Sequence, residues 1–208
     1  MTRHCEGAER PKQTLLLATR NLKKGKELQR LLKGLDLRVV TLDRFPGIPP
    51  VREDRPTLSE NAVKKAMETY LHADLPVLAD DSGLEVEALG GLPGVRSARF
   101  AGPRRDDRAN VAKLLKLLRG VPPSRREARF VCVLAFARGG RIVRTFQGAC
   151  EGSIALAPAG RAGFGYDPVF IPAGKKRTLA EMGPKVKDSL SHRTRAVQAF
   201  SRWLRKSL

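Results

Sequence analysis

The chain has 208 residues, of which 41% are hydrophobic and 29% charged, enough to bury one sizeable core, and 40 Lys or Arg against 21 Asp or Glu leave a formal net charge of +19. There is no signal-peptide pattern and no run of about eighteen apolar residues, which excludes a membrane-spanning helix and leads us to expect a soluble, cytoplasmic protein. Cys5, Cys132 and Cys150 are odd in number and lack metal-ligand spacing, so a disulfide framework and a zinc centre are both disfavoured.

Residues 1–13 mix charges with Gly7 and Pro11 without a period and predict a flexible N-terminal extension; 14–208 reads as a single domain. Thr14 to Ala18 is a short apolar run that suits a buried strand, and Leu28, Leu31, Leu32 and Leu35 then recur at helical spacing until Gly34 permits a stop. Between them, Thr19, Arg20, Asn21, Leu22, Lys23 and Lys24 place a hydroxyl, an amide and ammonium groups at a helix N-terminus. That arrangement suits a phosphate, or Asn21 simply caps the helix.

Arg38 to Thr41 predicts a second strand, and a Pro-rich connection over 46–56 carries Glu53 and Asp54. Thr57-Leu58-Ser59-Glu60 matches a capping box ahead of a helix with Val63, Ala66, Met67, Tyr70 and Leu71 as its apolar stripe.

Next comes the apolar run Pro76-Val77-Leu78, followed by Ala79-Asp80-Asp81-Ser82-Gly83. Two adjacent carboxylates at a strand end suit a hard divalent cation that draws in a phosphate chain; the alternative is a turn with solvated acids. From Pro76 to Phe100, Asp80, Asp81, Glu85 and Glu87 face only Arg96 and Arg99, an acidic island in a basic chain. That contrast favours a metal-assisted site for a polyanion.

Leu84, Val86 and Ala88 alternate with acids as in a half-exposed strand, and Val111, Leu114, Leu115 and Leu118 predict a helix begun by Asp106 or Asp107. Phe130 to Ala137 and Arg141 to Gln147 predict a hairpin turning at Arg138-Gly139-Gly140, so strand-helix units meet a hairpin and the sheet should be mixed. In Gly163-Phe164-Gly165-Tyr166-Asp167-Pro168 the glycines permit close approach, an aromatic face suits a purine, and a carboxylate suits sugar or base donors; an ordinary loop has the same composition. Lys187, Ser191, His192 and Arg193 precede a helix with Ala196, Phe200, Trp203 and Leu204 on one face, Ser191 being its expected cap.

In this order, Thr19-x-Asn21-x-x-Lys24-x-x-Glu27, Ser59-Glu60-Asn61-Ala62, Ala79-Asp80-Asp81-Ser82-Gly83, Gly163 to Pro168 and Ser191-His192-Arg193 resemble the inosine/xanthosine triphosphate pyrophosphatases. The resemblance runs from about Leu15 to Leu204 and implies an α/β fold: an elongated mixed β-sheet flanked by helices, in two lobes with a central nucleotide-binding cleft. It also implies Mg2+-dependent hydrolysis of ITP, dITP and XTP to the monophosphate and pyrophosphate by a homodimer. Asp81 falls at the catalytic, metal-binding acid, with Asp80 and Glu53 as metal support. The substrate-binding positions are Thr19, Arg20, Asn21, Leu22, Lys23, Lys24, Ser82, Phe164, Gly165, Tyr166, Asp167, Lys187, His192 and Arg193. No specific nucleic-acid binding is expected, although a nucleic-acid-binding module is the competing reading of the net charge. Its weakness is that aromatics make up only 5% of the chain.

Overall fold

The computed structural model describes residues 13–207. The expected extension over 1–13 thus lies outside the described residues up to residue 12, and Gln13 itself opens the first strand. Six strands form one mixed sheet: β1 (Gln13–Leu17), β2 (Leu37–Thr41), β3 (Val77–Val86), β4 (Glu127–Arg138), β5 (Arg141–Ile154) and β6 (Phe170–Pro172), in the order β2-β1-β3-β4-β5-β6. β1 runs parallel to β2 and β3, whereas β3 to β6 are antiparallel. The β4–β5 turn takes Gly139 and Gly140 at φ 60° and 74°, a conformation that favours glycine at both central positions.

β3 is the strand that makes the site. It pairs with β4 over its whole length, from Val77 opposite Ala137 to Val86 opposite Ala128. Its contact with β1 is brief: Leu16 and Leu17 meet Val77 and Leu78, Ala18 N–H donates to the Leu78 carbonyl at 3.0 Å, and β1 then turns away. From Ala79 to Gly83 that edge of β3 has no strand beside it, and from Leu84 onward it is closed again, Leu84 N–H donating to Ser97 Oγ at 2.8 Å and Val86 N–H to the Leu92 carbonyl at 3.1 Å. The carboxylates therefore stand inside a ten-residue strand rather than at a strand end or in a solvated turn. The half-exposed strand expected through Ala88 is the last part of this same β3, which passes at Glu87–Leu89 into a 3₁₀ turn.

Helices α1 (Leu22–Leu31), α2 (Leu58–Ala73), α3 (Asp107–Leu117), α4 (Leu179–Leu190) and α5 (His192–Ser207) cover the sheet. α2 packs Ala62 and Ala66 against Val77, Ala79, Val131 and Val133 on one face. α5 packs Ala196, Val197 and Phe200 against Leu78, Cys132, Leu134 and Phe136 on the other. A third core joins Leu84 and Val86 of β3 to α3, β6 and Leu179, and forms the second lobe.

Two local expectations are adjusted and one helix is added. Leu71 is 73% exposed because the buried stripe of α2 runs through Leu58, Ala62, Lys65, Ala66 and Thr69. Thr57 accepts the Glu60 N–H at 3.1 Å, but Glu60 returns to the Thr57 hydroxyl rather than to its N–H, so only half of the capping box forms. The complete box, Thr178 with Glu181, opens α4, a helix the sequence hides because Gly183 interrupts it at φ 76°.

Candidate functional site

The open edge of β3 faces a cleft of about 370 Å³, within the size range of small-molecule sites. Its walls come from the β1–α1 loop, the 49–53 loop, α2, the start of α3, the 164–167 turn and the start of α5.

Strand alternation sends the two adjacent aspartates to opposite faces. Asp81, opposite Val133, lies on the α2 side and lines the cleft. Lys65 Nζ approaches its Oδ1 at 4.0 Å, donates to the Asp80 carbonyl at 2.7 Å and pairs with Glu53 Oε1 at 2.6 Å. Arg99 and Arg105 reach Glu53 Oε2 at 3.7 and 3.6 Å. Burial pushes the Asp81 carboxyl up, and the charges of Glu53 and Asp80 add to it; together they outweigh Lys65 and Lys24 and bring Asp81 to about 6. Burial acts the same way on Glu53, but there the charge and hydrogen bond of Lys65, with Lys24 and Arg105, prevail and hold it below the usual carboxylate range.

Glu53 and Asp81 present hard oxygens on one side of the cleft, beside a cluster of cations. Among the described residues no three His, Cys, Asp or Glu converge into a closed metal cage. Two carboxylates in an open cleft fit a hard divalent cation that keeps open coordination positions for water or other oxygens.

Asp80, opposite Leu134, is buried on the α5 side and does not join Glu53 and Asp81. Its Oδ2 accepts from Lys24 Nζ at 2.9 Å and from the Ser82 hydroxyl at 3.3 Å, and lies 3.8 Å from Arg193 Nε. Arg193 is 2% exposed and donates to Glu27 at 2.9 Å and to Ser82 Oγ at 3.2 Å. Burial would raise the Asp80 carboxyl, yet Lys24, Arg193 and Lys65 hold it far below the usual range. Asp80, expected as metal support, stands outside the cleft lining in a buried ionic network that anchors Lys24 and Arg193.

At the start of α1, the Asn21 side chain accepts from Lys23 N–H at 3.0 Å and Lys24 N–H at 3.2 Å. Asn21 therefore is a cap and occupies two amides that an anion would otherwise use. Thr19, Arg20, Asn21 and Lys24 line the cleft, and Arg20 also donates to the Ile48 carbonyl, tying this loop to the one that carries Glu53. Leu22, 75% exposed, and Lys23 stand outside the lining, although Lys23 Nζ lies 5.9 Å from the Phe164 ring centroid.

Across the cleft, Asp167 Oδ2 accepts from Phe164 N–H at 2.8 Å and from Lys187 Nζ at 2.5 Å, with Lys187 4.3 Å from the Phe164 centroid. Tyr166 is buried and donates to the Ser97 carbonyl at 2.9 Å, so it packs the second lobe while touching the cleft wall. His192 stacks on Phe130 with centroids 4.9 Å apart, and Ser191 caps α5 by accepting the Thr194 N–H at 3.1 Å.

Sequence reading passed over Lys65, Arg99, Arg105 and Asp107. Lys65 lies on the buried stripe of α2, which is shifted from the stripe expected through Val63, Ala66, Met67, Tyr70 and Leu71. Asp106 alone caps α3, and Asp107 instead accepts the Gly165 N–H at 2.8 Å, joining α3 to the 164–167 turn. Nothing in the sequence marks Arg99 or Arg105 apart from other arginines.

Three comparisons bear on this geometry. The model of the Ham1 family matches residues 15–203. A dITP/XTP pyrophosphatase of Desulforamulus reducens is 50% identical over 184 residues, 88% of this chain and 92% of that protein. Among solved structures, a HAM1 protein from Coxiella burnetii superposes with a TM-score of 0.86 at 37% identity, covering 93% of this chain and 99% of that one. A nucleoside-triphosphatase / dITP/XTP pyrophosphatase from Mycobacterium abscessus gives 0.75 at 45% identity, covering 90% and 98%. The match spans both lobes and the cleft between them, and the chain belongs to the Ham1 family.

Proposed function

We propose that this chain hydrolyses the non-standard purine nucleoside triphosphates ITP, dITP and XTP to the nucleoside monophosphate and pyrophosphate, keeping deaminated purines out of DNA and RNA. The observation that carries this is the mid-strand Asp81, set beside Lys65 and Glu53 in a cleft whose far wall offers Phe164, Asp167 and Lys187. Relatives 41–50% identical to this chain bear the name dITP/XTP pyrophosphatase.

Water attacks the α-phosphorus, the α–β anhydride bond breaks, and pyrophosphate leaves. Asp81 orients the water and takes its proton. Glu53 and Asp81 would hold Mg2+, which would withdraw charge from the phosphate oxygens when bound. Lys65 and Lys24 answer the negative charge that grows on the leaving group. Phe164 gives the purine a stacking face. Lys187 spends one of its three N–H donors on Asp167 and keeps others for the 6-oxygen of hypoxanthine or xanthine, whereas Arg193 has turned two of its five toward Glu27 and Ser82. Adenine presents an amino donor at that position and leaves the ammonium facing another donor, which disfavours ATP.

The family resemblance also carries a homodimer and a cytoplasmic location; among the described residues no helix is long and apolar enough to cross a membrane. Sedimentation measures the first. The activity is tested by pyrophosphate release from ITP, dITP, XTP, GTP and ATP with and without Mg2+, for the parent and Asp81→Asn. Release from the first three that needs both Mg2+ and Asp81 supports the proposal, and no release from any of the five overturns it.

A further inference from the structure

Glu53 is surrounded by three cations that are held in different ways. Lys65, with a side chain only 11% exposed, is fixed by two short contacts, to Glu53 at 2.6 Å and to the Asp80 carbonyl at 2.7 Å. Arg99 is pinned by a hydrogen bond to the Glu53 carbonyl at 2.8 Å and lies outside the cleft lining. Arg105 differs from both. Its side chain is 62% exposed and lines the cleft, and among the described residues its guanidinium is held by a 3.6 Å approach to Glu53 Oε2.

The backbone of Arg105 is also unusual. It sits at φ 53°, one of two non-glycine residues among those described with positive φ, immediately before Asp106 caps α3. A left-handed conformation disfavours any residue with a Cβ, and glycine would relieve it. That conformation instead carries a guanidinium at the rim of the cleft, above the carboxylate pair Glu53 and Asp81.

We infer that Arg105 is a substrate-binding residue that exchanges its loose contact with Glu53 for the polyphosphate tail of the bound nucleotide. The inference rests on the nucleotide reading of this cleft. A guanidinium is a planar fork that matches two phosphate oxygens better than a single carboxylate oxygen at 3.6 Å. Its departure leaves Glu53 still paired with Lys65 and Arg99, so the exchange strands no buried charge. Any cation that enters between Glu53 and Asp81 repels Arg105 from Glu53, and the phosphates it brings attract Arg105.

The test is calorimetric titration of pyrophosphate, inosine monophosphate and an inosine triphosphate analogue with a methylene bridge between the α- and β-phosphorus, on the parent, Arg105→Gln and Arg105→Gly. Loss of one charge-assisted phosphate contact should weaken the analogue and pyrophosphate about tenfold in Arg105→Gln and leave the monophosphate unchanged. Arg105→Gly should show the same loss while the thermal midpoint of the ligand-free protein stays level or rises. Unchanged pyrophosphate affinity, an equal loss for the monophosphate, or a lower midpoint in Arg105→Gly would each overturn the inference. Failure of the underlying nucleotide reading has its own signature, a parent protein that binds none of the three, and that result removes the inference with it.

Discussion

Asp80 and Asp81 are adjacent in the chain, yet their carboxylates stand on opposite faces of β3, one in a buried network with Lys24 and Arg193, the other in the cleft with Lys65 and Glu53. The same residue type is driven in opposite directions. Asp80 is held strongly acidic, while Asp81 is brought to about 6.

Asp81→Asn should abolish turnover and stabilise the metal-free protein. Asp81 ionises near its ordinary 3.8 when unfolded and about 6 when folded, so its protonated form is favoured by the fold. That contribution is complete below the unfolded value and is lost as pH rises through 6. The variant should therefore gain roughly 1–3 kcal/mol at pH 8 and nothing below about pH 4, as read from urea unfolding at both pH values.

Asp80→Asn should have the opposite sign. Removing its charge leaves Lys24 and Arg193 facing an uncharged amide in a buried setting, which should lower stability by about 3 kcal/mol at neutral pH. Pyrophosphate affinity should fall as well, because Asp80 anchors Lys24, which meets the leaving group. Denaturant unfolding and calorimetry report the two effects separately.

His192 should set part of the acid limb of stability. Burial, helped by Arg193, Lys187 and Lys24, holds its imidazole well below the ordinary 6.5, so the folded protein keeps it neutral where the unfolded chain protonates it. The stability it contributes is intact above 6.5 and is lost as pH falls toward the folded value, at up to about 1.4 kcal/mol per pH unit. His192→Phe preserves the stack on Phe130 and should flatten the stability profile between pH 6.5 and 5.

Gly148→Ala tests how α5 is seated. A Cβ there would overlap the His192 carbonyl and the Ala196 backbone nitrogen, atoms that no rotamer change moves aside. The variant should lose about 1–3 kcal/mol in urea unfolding. KM for ITP should rise as well, since the start of α5 carries His192 and Arg193.

Most of the elements were legible because each has a local cause. β1, β2 and the β4–β5 hairpin follow from apolar runs and Gly139-Gly140, and α2 and α3 from their caps and stripes. α4 was hidden because Gly183 breaks its period. The cleft was largely legible: Thr19, Arg20, Asn21, Lys24, Glu53, Asp81, Ser82, Phe164, Gly165, Tyr166, Asp167, Lys187, His192 and Arg193 meet in it, while Leu22, Lys23 and Asp80 do not line it. Lys65 was overlooked because a lysine on a helix is ordinarily solvated, and its burial depends on Glu53 and Asp81, which are distant in the chain.

By itself the sequence determined the residue types, the order of the motifs and the family they spell, since these are written in short local patterns. The tertiary structure alone decided that β1 leaves β3 after Leu78 and opens its edge, that alternation separates Asp80 from Asp81, and that Arg105 is set loosely against Glu53. Those outcomes depend on which strands pair and where pairing stops, and on charges brought together across long stretches of chain, interactions that no local pattern encodes.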